Sequence, residues 1–349
     1  MNSKERIRNA AQRKPVDRIP AAFEAIPTVV EKLMKHYGFQ DKKQLWDLYQ
    51  ADVIPVEPRY IGPPLKIYLD QKGNRVETSY WGWQETYYKD GGEAGHVVTY
   101  YPLEHVETIE AIENYTWPDP DWFDYDSVRK QCEENEGRAT IAGHEGPFHI
   151  AAFLRPMEDF LVDMLAEPEI AEKILEKMHQ FEMEYYRRMF EACNGMLDIL
   201  RPHDDYGTQR GLLFSRELWN KYMRKNTAEL AELAHRYGGF YQQHSCGAIN
   251  DIIPDLIECG VDILEPIQKV QGMEPEHLKK DYGDQLTFHG GIDTQRVLPF
   301  GTPQDVRDET RKYLDILGGD GTGYILMASQ SFEGDVPVEN IEALYQVER

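Results

Sequence analysis

Short apolar runs recur along the chain, and each ends in a polar or glycine-rich loop followed by a helical segment. This order predicts parallel βα units and an α/β fold. About eight runs fit the pattern, which is the number that closes a (β/α)8 TIM barrel. The predicted strands are 19–23, 52–56, 139–142, 197–200, 239–243, 261–264, 286–288 and 324–327.

Helix boundaries support this assignment. Thr302 followed by Pro303 predicts the start of one helix, and Gly318 predicts its end. A doubly wound sheet is the alternative, but it calls for a glycine-rich phosphate turn, and neither a G-x-G-x-x-G nor a Walker sequence occurs. Nucleotide cofactors are therefore not expected.

The length of 349 residues admits two domains or one large barrel with insertions. No linker or internal repeat divides the chain, which favours a single barrel domain spanning residues 1–349. Residues 60–125 do not follow the strand–loop–helix pattern and are rich in Trp, Tyr, Gly and charged residues. We expect this stretch to be an insertion near the N-terminal third that acts as a lid or a substrate wall.

Composition excludes several functions. The chain has 61 Asp and Glu against 38 Lys and Arg, a formal charge of -23, which disfavours binding to nucleic acid or to an anionic membrane surface. It has no long apolar run, so we expect a cytoplasmic protein. The four cysteines lie far apart and do not resemble a disulfide framework.

His244 and Cys246 follow the fifth predicted strand, where a barrel places its chemistry. Residues i and i+2 of an extended segment project from the same face, so an imidazole and a thiolate would point together. That pair suits tetrahedral Zn²⁺. The alternative is a buried cysteine beside a hydrogen-bonded core histidine.

Zinc needs a third protein ligand, and in a catalytic site a fourth position stays open for substrate or water. The sequence does not choose among the candidates at neighbouring strand ends. These candidates are Glu265, Gln330, Glu145, His289 and Glu333, and the first two complete our predicted ligand set with His244 and Cys246.

Adjacent carboxylates at Asp204 and Asp205 repel each other, so one of them is expected to pair with a cation, bind a metal or work in acid-base chemistry. Capping of a nearby turn is the alternative. Aromatic residues of the insertion could surround a ring or a quaternary ammonium, although ordinary packing explains them nearly as well. The candidate catalytic residues are Asp204, Asp205 and Glu145, and the candidate substrate-binding residues are Trp81, Trp83, Tyr206, Gln209 and His289.

Several segments resemble the uroporphyrinogen decarboxylase superfamily, and within it the branch of zinc-dependent, corrinoid-linked methyltransferases that includes the methyltransferase I components of O-demethylases. They are HSCGAINDIIPDLIECGVDILEP at 244–266, FHGGIDTQ at 288–295, GTPQDV at 301–306, RKPVDRIP at 13–20, WPDPDW at 117–122 and DDYGTQ at 204–209. The resemblance covers nearly the whole chain. It implies a (β/α)8 barrel with the site in its mouth.

Two departures from the superfamily pattern bear on the reaction. True decarboxylases carry an arginine motif near the N-terminus that binds the porphyrin carboxylates, whereas residues 19–26 here read IPAAFEAI. Thiol-directed methyltransferases of the branch use a second cysteine near the last strand, where residues 327–333 read MASQSFE. A zinc ion with one thiolate keeps more positive charge and is the stronger Lewis acid.

The resemblance and these departures together predict transfer of a methyl group from a small methylated donor, best a methoxylated aromatic, to the cob(I)alamin of a partner corrinoid protein. The chain has no D-x-H-x-x-G corrinoid motif, so the corrinoid must be carried by another polypeptide. A second copy of the chain is a further candidate partner. The alternatives are methylcorrinoid:thiol methyl transfer, decarboxylation of a porphyrinogen, and non-catalytic binding of a small molecule.

Overall fold

Parallel strands form the centre of the computed structural model, which describes residues 1–88 and 96–349. The strands of the described residues, numbered along the chain, are β1 (Val53–Pro55), β2 (Arg59–Tyr60), β3 (Ile67–Leu69), β4 (Arg75–Thr78), β5 (Gln84–Tyr87), β6 (His96–Tyr100), β7 (Phe123–Asp124), β8 (Ala139–Ala142), β9 (Ile199–Leu200), β10 (Phe240–His244), β11 (Ile263–Glu265), β12 (Thr287–His289) and β13 (Tyr324–Ile325). Seven of these strands lie in one sheet in the order β1-β8-β9-β10-β11-β12-β13.

The segment around Ala21 and Ala22 closes this sheet into a ring. Ala21 bridges Leu326 in parallel and Ala22 bridges Val53, which joins the last strand to the first. The predicted (β/α)8 barrel with an insertion is thus confirmed. The first predicted strand, 19–23, forms only these bridges, while the other seven match observed strands to within two residues at each end.

Helices follow the barrel strands, as the βα pattern predicts. They are α1 (Ser3–Ala11), α2 (Pro27–Tyr37), α3 (Lys43–Leu48), α4 (Ile109–Glu113), α5 (Tyr125–Glu134), α6 (Pro147–Leu154), α7 (Met157–Ala166), α8 (Pro168–Cys193), α9 (Arg216–Tyr222), α10 (Arg224–Arg236), α11 (Ile253–Glu258), α12 (Pro275–Tyr282), α13 (Val297–Phe300), α14 (Pro303–Leu317) and α15 (Val338–Tyr345). No helix of the described residues is both long and apolar enough to cross a membrane.

Local sequence signals account for the ends of α14. The Thr302 hydroxyl accepts from the backbone of Asp305, whose carboxylate in turn accepts from Thr302, so both donors of this capping box are satisfied. Pro303 occupies the first turn, where its missing N–H costs nothing, and Gly318 follows the last residue. Both predicted boundaries are confirmed.

The two ends of the barrel differ. Helix α1 lies against the N-terminal end, where Ile7 and Ala10 join an apolar cluster with Ile199 and Ile263 from inside the barrel. That end of the barrel is therefore filled by packed apolar side chains. The opposite end, at the carboxyl ends of the strands, is the open mouth in which barrel chemistry lies.

The insertion is a small antiparallel sheet in the order β3-β4-β5-β6, together with the β2-β7 pair and α4. Cross-strand pairing puts Tyr87 beside His96, and their rings stack 5.1 Å apart on one face of the sheet. Glu85 lies two residues from Tyr87 and therefore on the same face. This face lines the barrel mouth through Glu85 and His96.

Candidate functional site

Side chains at the carboxyl ends of β8, β9 and β10 meet in the mouth because the sheet continues one step beyond its strands. Glu145 bridges His203 in parallel, and His203 bridges His244. The rings of His203 and His244 lie 5.1 Å apart. Consecutive strand ends therefore present adjacent polar groups to one space.

His244 and Cys246 point to the same place, as the i, i+2 spacing predicts. The Nε2 atom of His244 lies 3.6 Å from the Cys246 sulfur, and its Nδ1 atom lies 2.7 Å from a Glu265 oxygen. Gly247 has φ +81° and lies against the backbone of Gly207, where a Cβ would come within 2.5 Å of a carbonyl carbon. Only glycine allows this turn after the cysteine.

Asp204 and Asp205 point in opposite directions, as neighbours in an extended segment do. Asp204 is buried and accepts from the backbone N–H groups of Phe148 (3.0 Å) and His149 (2.7 Å) at the start of α6. Burial raises its pKa. The Tyr206 hydroxyl also donates to it, at 2.8 Å.

Asp205 faces His244 and Cys246 instead. Its Oδ1 atom accepts from the Cys246 backbone at 2.7 Å and lies 3.5 Å from the Nε2 atom of His244. His149 approaches its other oxygen at 3.6 Å. Burial alone would raise the pKa of Asp205, but the two histidines hold it below its usual range.

The donor atoms of Asp205, His244 and Cys246 all lie within 4.8 Å of one another, and they fit zinc. A tetrahedral ion with bonds of about 2.0 Å to nitrogen and 2.3 Å to sulfur holds those atoms about 3.5 Å apart, and it holds nitrogen and oxygen about 3.4 Å apart. The separations here are 3.6 and 3.5 Å. One imidazole, one thiolate and one carboxylate are also a donor set that zinc accepts.

Glu265 lies outside that triad and contacts the other nitrogen of His244. Its carboxylate is buried and also lies 3.9 Å from Arg201, whose Nη1 donates to Glu24 at 2.6 Å. A carboxylate on the far nitrogen of a ligating histidine fixes the ring orientation and the tautomer. Glu265 is placed to do this for His244.

Gln330 follows the last strand, β13, and lies beside Cys246. Its side-chain amide contacts the Cys246 sulfur, and the neighbouring Ser331 lines the mouth. The region where the sequence lacks a second cysteine is thus filled by an amide and a hydroxyl.

Two spaces open from the mouth. The inner cavity, about 300 Å³, is lined by His244, Glu265, Gln330 and the insertion residues Glu85 and His96. The second, about 690 Å³, has walls that include four rings, and we call it the aromatic chamber. Its rings are Tyr60, Tyr80, Phe123 and Tyr185.

The aromatic chamber is built from contacts between the insertion and the barrel helices. Tyr80 packs edge-on against Phe123 at 5.2 Å, and Phe123 packs edge-on against Tyr185 of α8 at 4.9 Å. Tyr60 stacks on Tyr80 at 5.9 Å. These ring contacts join the insertion to α8 along the chamber wall.

All five predicted substrate-binding residues lie outside these two spaces. Trp81 and Trp83 are buried in the packing of the insertion, and Tyr206 is buried beneath the Asp204 loop. Gln209 is exposed. His289 is buried in the barrel, where its Nδ1 atom faces the Gln242 oxygen at 3.3 Å and burial lowers its pKa to about 4.

Three mouth residues, Arg201, His203 and His149, received no role from the sequence. The first two follow β9, so their position at a strand end was the available signal. His149 lies inside α6, and no local pattern marks it. Burial lowers the pKa of His203 well below its usual value, so its imidazole is neutral.

Comparison with known proteins agrees with this architecture. A model of the family described as uroporphyrinogen decarboxylase (URO-D) matches residues 90–349. A methylcobamide:CoM methyltransferase, MtaA, of Methanosarcina barkeri is 24% identical over 204 residues, which are 58% of this chain and only 56% of that relative. The methylcobamide:CoM methyltransferase MtbA of Methanosarcina mazei is 22% identical over 326 residues, 89% of this chain and 88% of that protein.

The fold also matches a solved structure, a methyltransferase from Methanosarcina mazei. The TM-score is 0.71 at 18% identity, and the match covers 99% of this chain and 97% of the other. At this identity the likeness concerns the fold.

Proposed function

Because the chain belongs to the uroporphyrinogen decarboxylase family, whose fold places the site in the barrel mouth, we propose that it is a zinc-dependent methyltransferase working with a corrinoid protein. The observation that carries the proposal is the triad of Asp205, His244 and Cys246, whose nitrogen–sulfur and nitrogen–oxygen separations match those around a tetrahedral ion. The relatives named as methylcobamide:CoM methyltransferases support corrinoid-linked methyl transfer.

Zinc bound there would supply Lewis acidity toward the oxygen that leaves when the methyl group is transferred. His244, Cys246 and Asp205 would hold the ion, and the contact of Glu265 with the Nδ1 atom of His244 leaves the Nε2 atom free to bind it. The Gln330 amide lies against the cysteine sulfur. Asp204 fixes the start of α6 and thereby places His149 beside Asp205.

We propose a methoxylated aromatic compound as the methyl donor. Its ring would lie in the aromatic chamber, between walls set by Tyr80, Phe123 and Tyr185, with its methoxy group toward the inner cavity. Holding the ring in one orientation supplies much of the rate gain in a displacement that requires alignment. The single thiolate suits a leaving oxygen, since it leaves more charge on the metal.

The experiment is an anaerobic assay of the purified chain with cob(I)alamin and a panel of methylated donors, followed by the spectrum of methylcobalamin. Methoxyarenes are expected to methylate the cobalt, at a rate that falls with zinc removal and recovers with its return. Cys246→Ser should abolish the rate, whereas Cys259→Ser, which alters the buried cysteine at the end of α11, should not. Methyl transfer by a zinc-free chain would refute the metal role, and transfer from methylamines alone would refute the donor.

Methyl transfer to a thiol is the second candidate, and the names of the relatives favour it. The same preparation can be given methylcobalamin and coenzyme M, with loss of the methylcobalamin spectrum as the readout. A decarboxylase would need cations for a polyanionic substrate, but Arg201 is the only Lys or Arg among the described residues that line the inner cavity. We therefore expect no consumption of uroporphyrinogen.

A further inference from the structure

Two cysteines that are far apart in the sequence meet in space, away from the residues of the mouth. The sulfur of Cys132, in the last turn of α5, lies 3.9 Å from the sulfur of Cys193, the last residue of α8. Both side chains are buried, and 61 positions of the chain separate them. The sulfurs of a disulfide are about 2.0 Å apart, so a shift of about 2 Å would join this pair.

The surroundings of Cys132 favour its thiolate. Its hydrogen bond with Cys193 lowers the pKa of the Cys132 thiol. The Thr140 hydroxyl, 3.8 Å from the sulfur, and the Lys4 ammonium act in the same direction. Cys259 shows the ordinary effect of burial, which raises the pKa of that thiol to about 11. Because the thiolate is the form that reacts with oxidants, Cys132 is the more reactive kind of buried cysteine.

We propose that Cys132 and Cys193 form a redox-modification site, in which hydrogen peroxide or another hydroperoxide converts the two thiols to a reversible disulfide. This site is independent of the proposed methyl transfer. Cys132 is the attacking residue and Cys193 the resolving one. Cys132 keeps 4% of its surface exposed and Cys193 none, so the oxidant meets Cys132 first.

The oxidation proceeds in two steps. The Cys132 thiolate attacks one peroxide oxygen, the O–O bond breaks, and hydroxide leaves while the sulfur becomes a sulfenic acid. The Cys193 sulfur then attacks the sulfenic sulfur, the S–O bond breaks, and the departing hydroxide takes up the Cys193 proton as water. In total, two thiols and one hydrogen peroxide give one disulfide and two waters.

The disulfide would join two helices that form the wall of the aromatic chamber. Helix α5 contributes Ser127 and Gln131 to that wall, and α8 contributes Tyr185. Gln131 is the chain neighbour of Cys132. A covalent link at this point restricts the separation of α5 from α8, so we expect the amides of α5 to exchange more slowly with solvent in the oxidised protein.

The test treats the folded, fully reduced protein with hydrogen peroxide, blocks the remaining thiols by alkylation and maps the peptides without a reductant. A peptide pair linked through Cys132 and Cys193 should form, disappear with dithiothreitol and return with fresh peroxide. Cys259→Ser is the matched control, since it changes a buried cysteine that lies outside the pair, and it should form the same link.

Two single variants test the order of the steps. Cys193→Ser should stop the reaction at the sulfenic acid of Cys132, which dimedone labels, whereas Cys132→Ser should leave Cys193 unlabelled. Labelling of Cys193 in Cys132→Ser, with none of Cys132 in Cys193→Ser, would overturn the assignment of attacking and resolving residues.

The wild-type protein alone decides whether the site exists, so the inference does not depend on the folding of either variant. Thiols that stay free in the folded chain, a link that forms only in urea, or a link from either residue to Cys246 would overturn it. In the oxidised wild type, α5 amides should exchange at least about threefold more slowly, while those of α14, which packs on α12 and α15, should not change. Equal exchange of α5 in the two redox states would refute its attachment to α8.

Discussion

Replacing Glu265 by glutamine tests whether this residue orients His244 as a zinc ligand. The Glu265 carboxylate lies 2.7 Å from the Nδ1 atom of His244 and is 2% exposed. Glutamine keeps the length and an acceptor oxygen but loses the charge. The geometry of the triad should survive, so the change probes the electrostatic support of the imidazole.

The expected magnitude follows from that contact. Removing the partner of a ligating histidine costs 10- to 100-fold in metal affinity in comparable sites. A charged hydrogen bond is about twice as strong as a neutral one, so glutamine should lose about half of the effect on a free-energy scale. We expect zinc affinity to fall about tenfold, or about 1.4 kcal/mol, in Glu265→Gln, and about 100-fold in Glu265→Ala.

The assay is a zinc titration against a chromophoric chelator at constant pH and salt. Glu24→Gln is the matched control, because it removes a charge from the same cluster and contacts Arg201 instead of His244. Its affinity should change by less than about threefold, since Glu24 does not contact the ring. Binding by Glu265→Gln within twofold of the wild type, or an equal loss in Glu24→Gln, would refute the reasoning.

Three further predictions concern stability. Asp204→Ala should lower the free energy of unfolding by about 3 kcal/mol in urea denaturation. The change leaves two backbone N–H groups and the Tyr206 hydroxyl buried without their acceptor. A loss below about 1 kcal/mol would contradict this. Burial raises the pKa of Glu182 to about 8, so the folded chain keeps a proton that the unfolded chain releases near pH 4.5. The free energy of unfolding should therefore fall by about 1.4 kcal/mol per pH unit as the pH rises between those values. Glu182→Gln should remove that slope, and parallel pH profiles of the wild type and the variant would show the idea to be wrong. Gly247→Ala should lower the free energy of unfolding by about 1 to 3 kcal/mol more than Gly238→Ala and should also weaken zinc binding. Both glycines have positive φ, but only a Cβ at Gly247 meets backbone atoms. Equal losses of stability in the two variants would count against this.

The parts of the fold that the sequence predicted are those with a local signal. Seven of the eight apolar runs became barrel strands because a parallel strand buried on both faces needs a continuous apolar segment. The ends of α14 followed from Thr302 and Gly318, whose effects act within one turn. The convergence of His244 and Cys246 is also local, since it follows from the alternation of an extended chain.

The same alternation could have separated Asp204 from Asp205, but it could not say which of them faced the mouth. That was decided by α6, whose first backbone N–H groups lie against Asp204 and leave Asp205 to the ligands. Likewise, packing within the insertion buried Trp81 and Trp83, although their sequence pattern had favoured a role in the substrate wall.

The sequence by itself determined the barrel, the insertion and the strand ends at which polar groups collect. The tertiary structure alone decided which of those groups meet, such as Glu265 on the far nitrogen of His244, and it alone brought Cys132 beside Cys193. The physical reason is that strand periodicity and helix capping act over a few residues. Contacts across the mouth depend instead on ring closure, which brings together side chains from segments far apart in the chain.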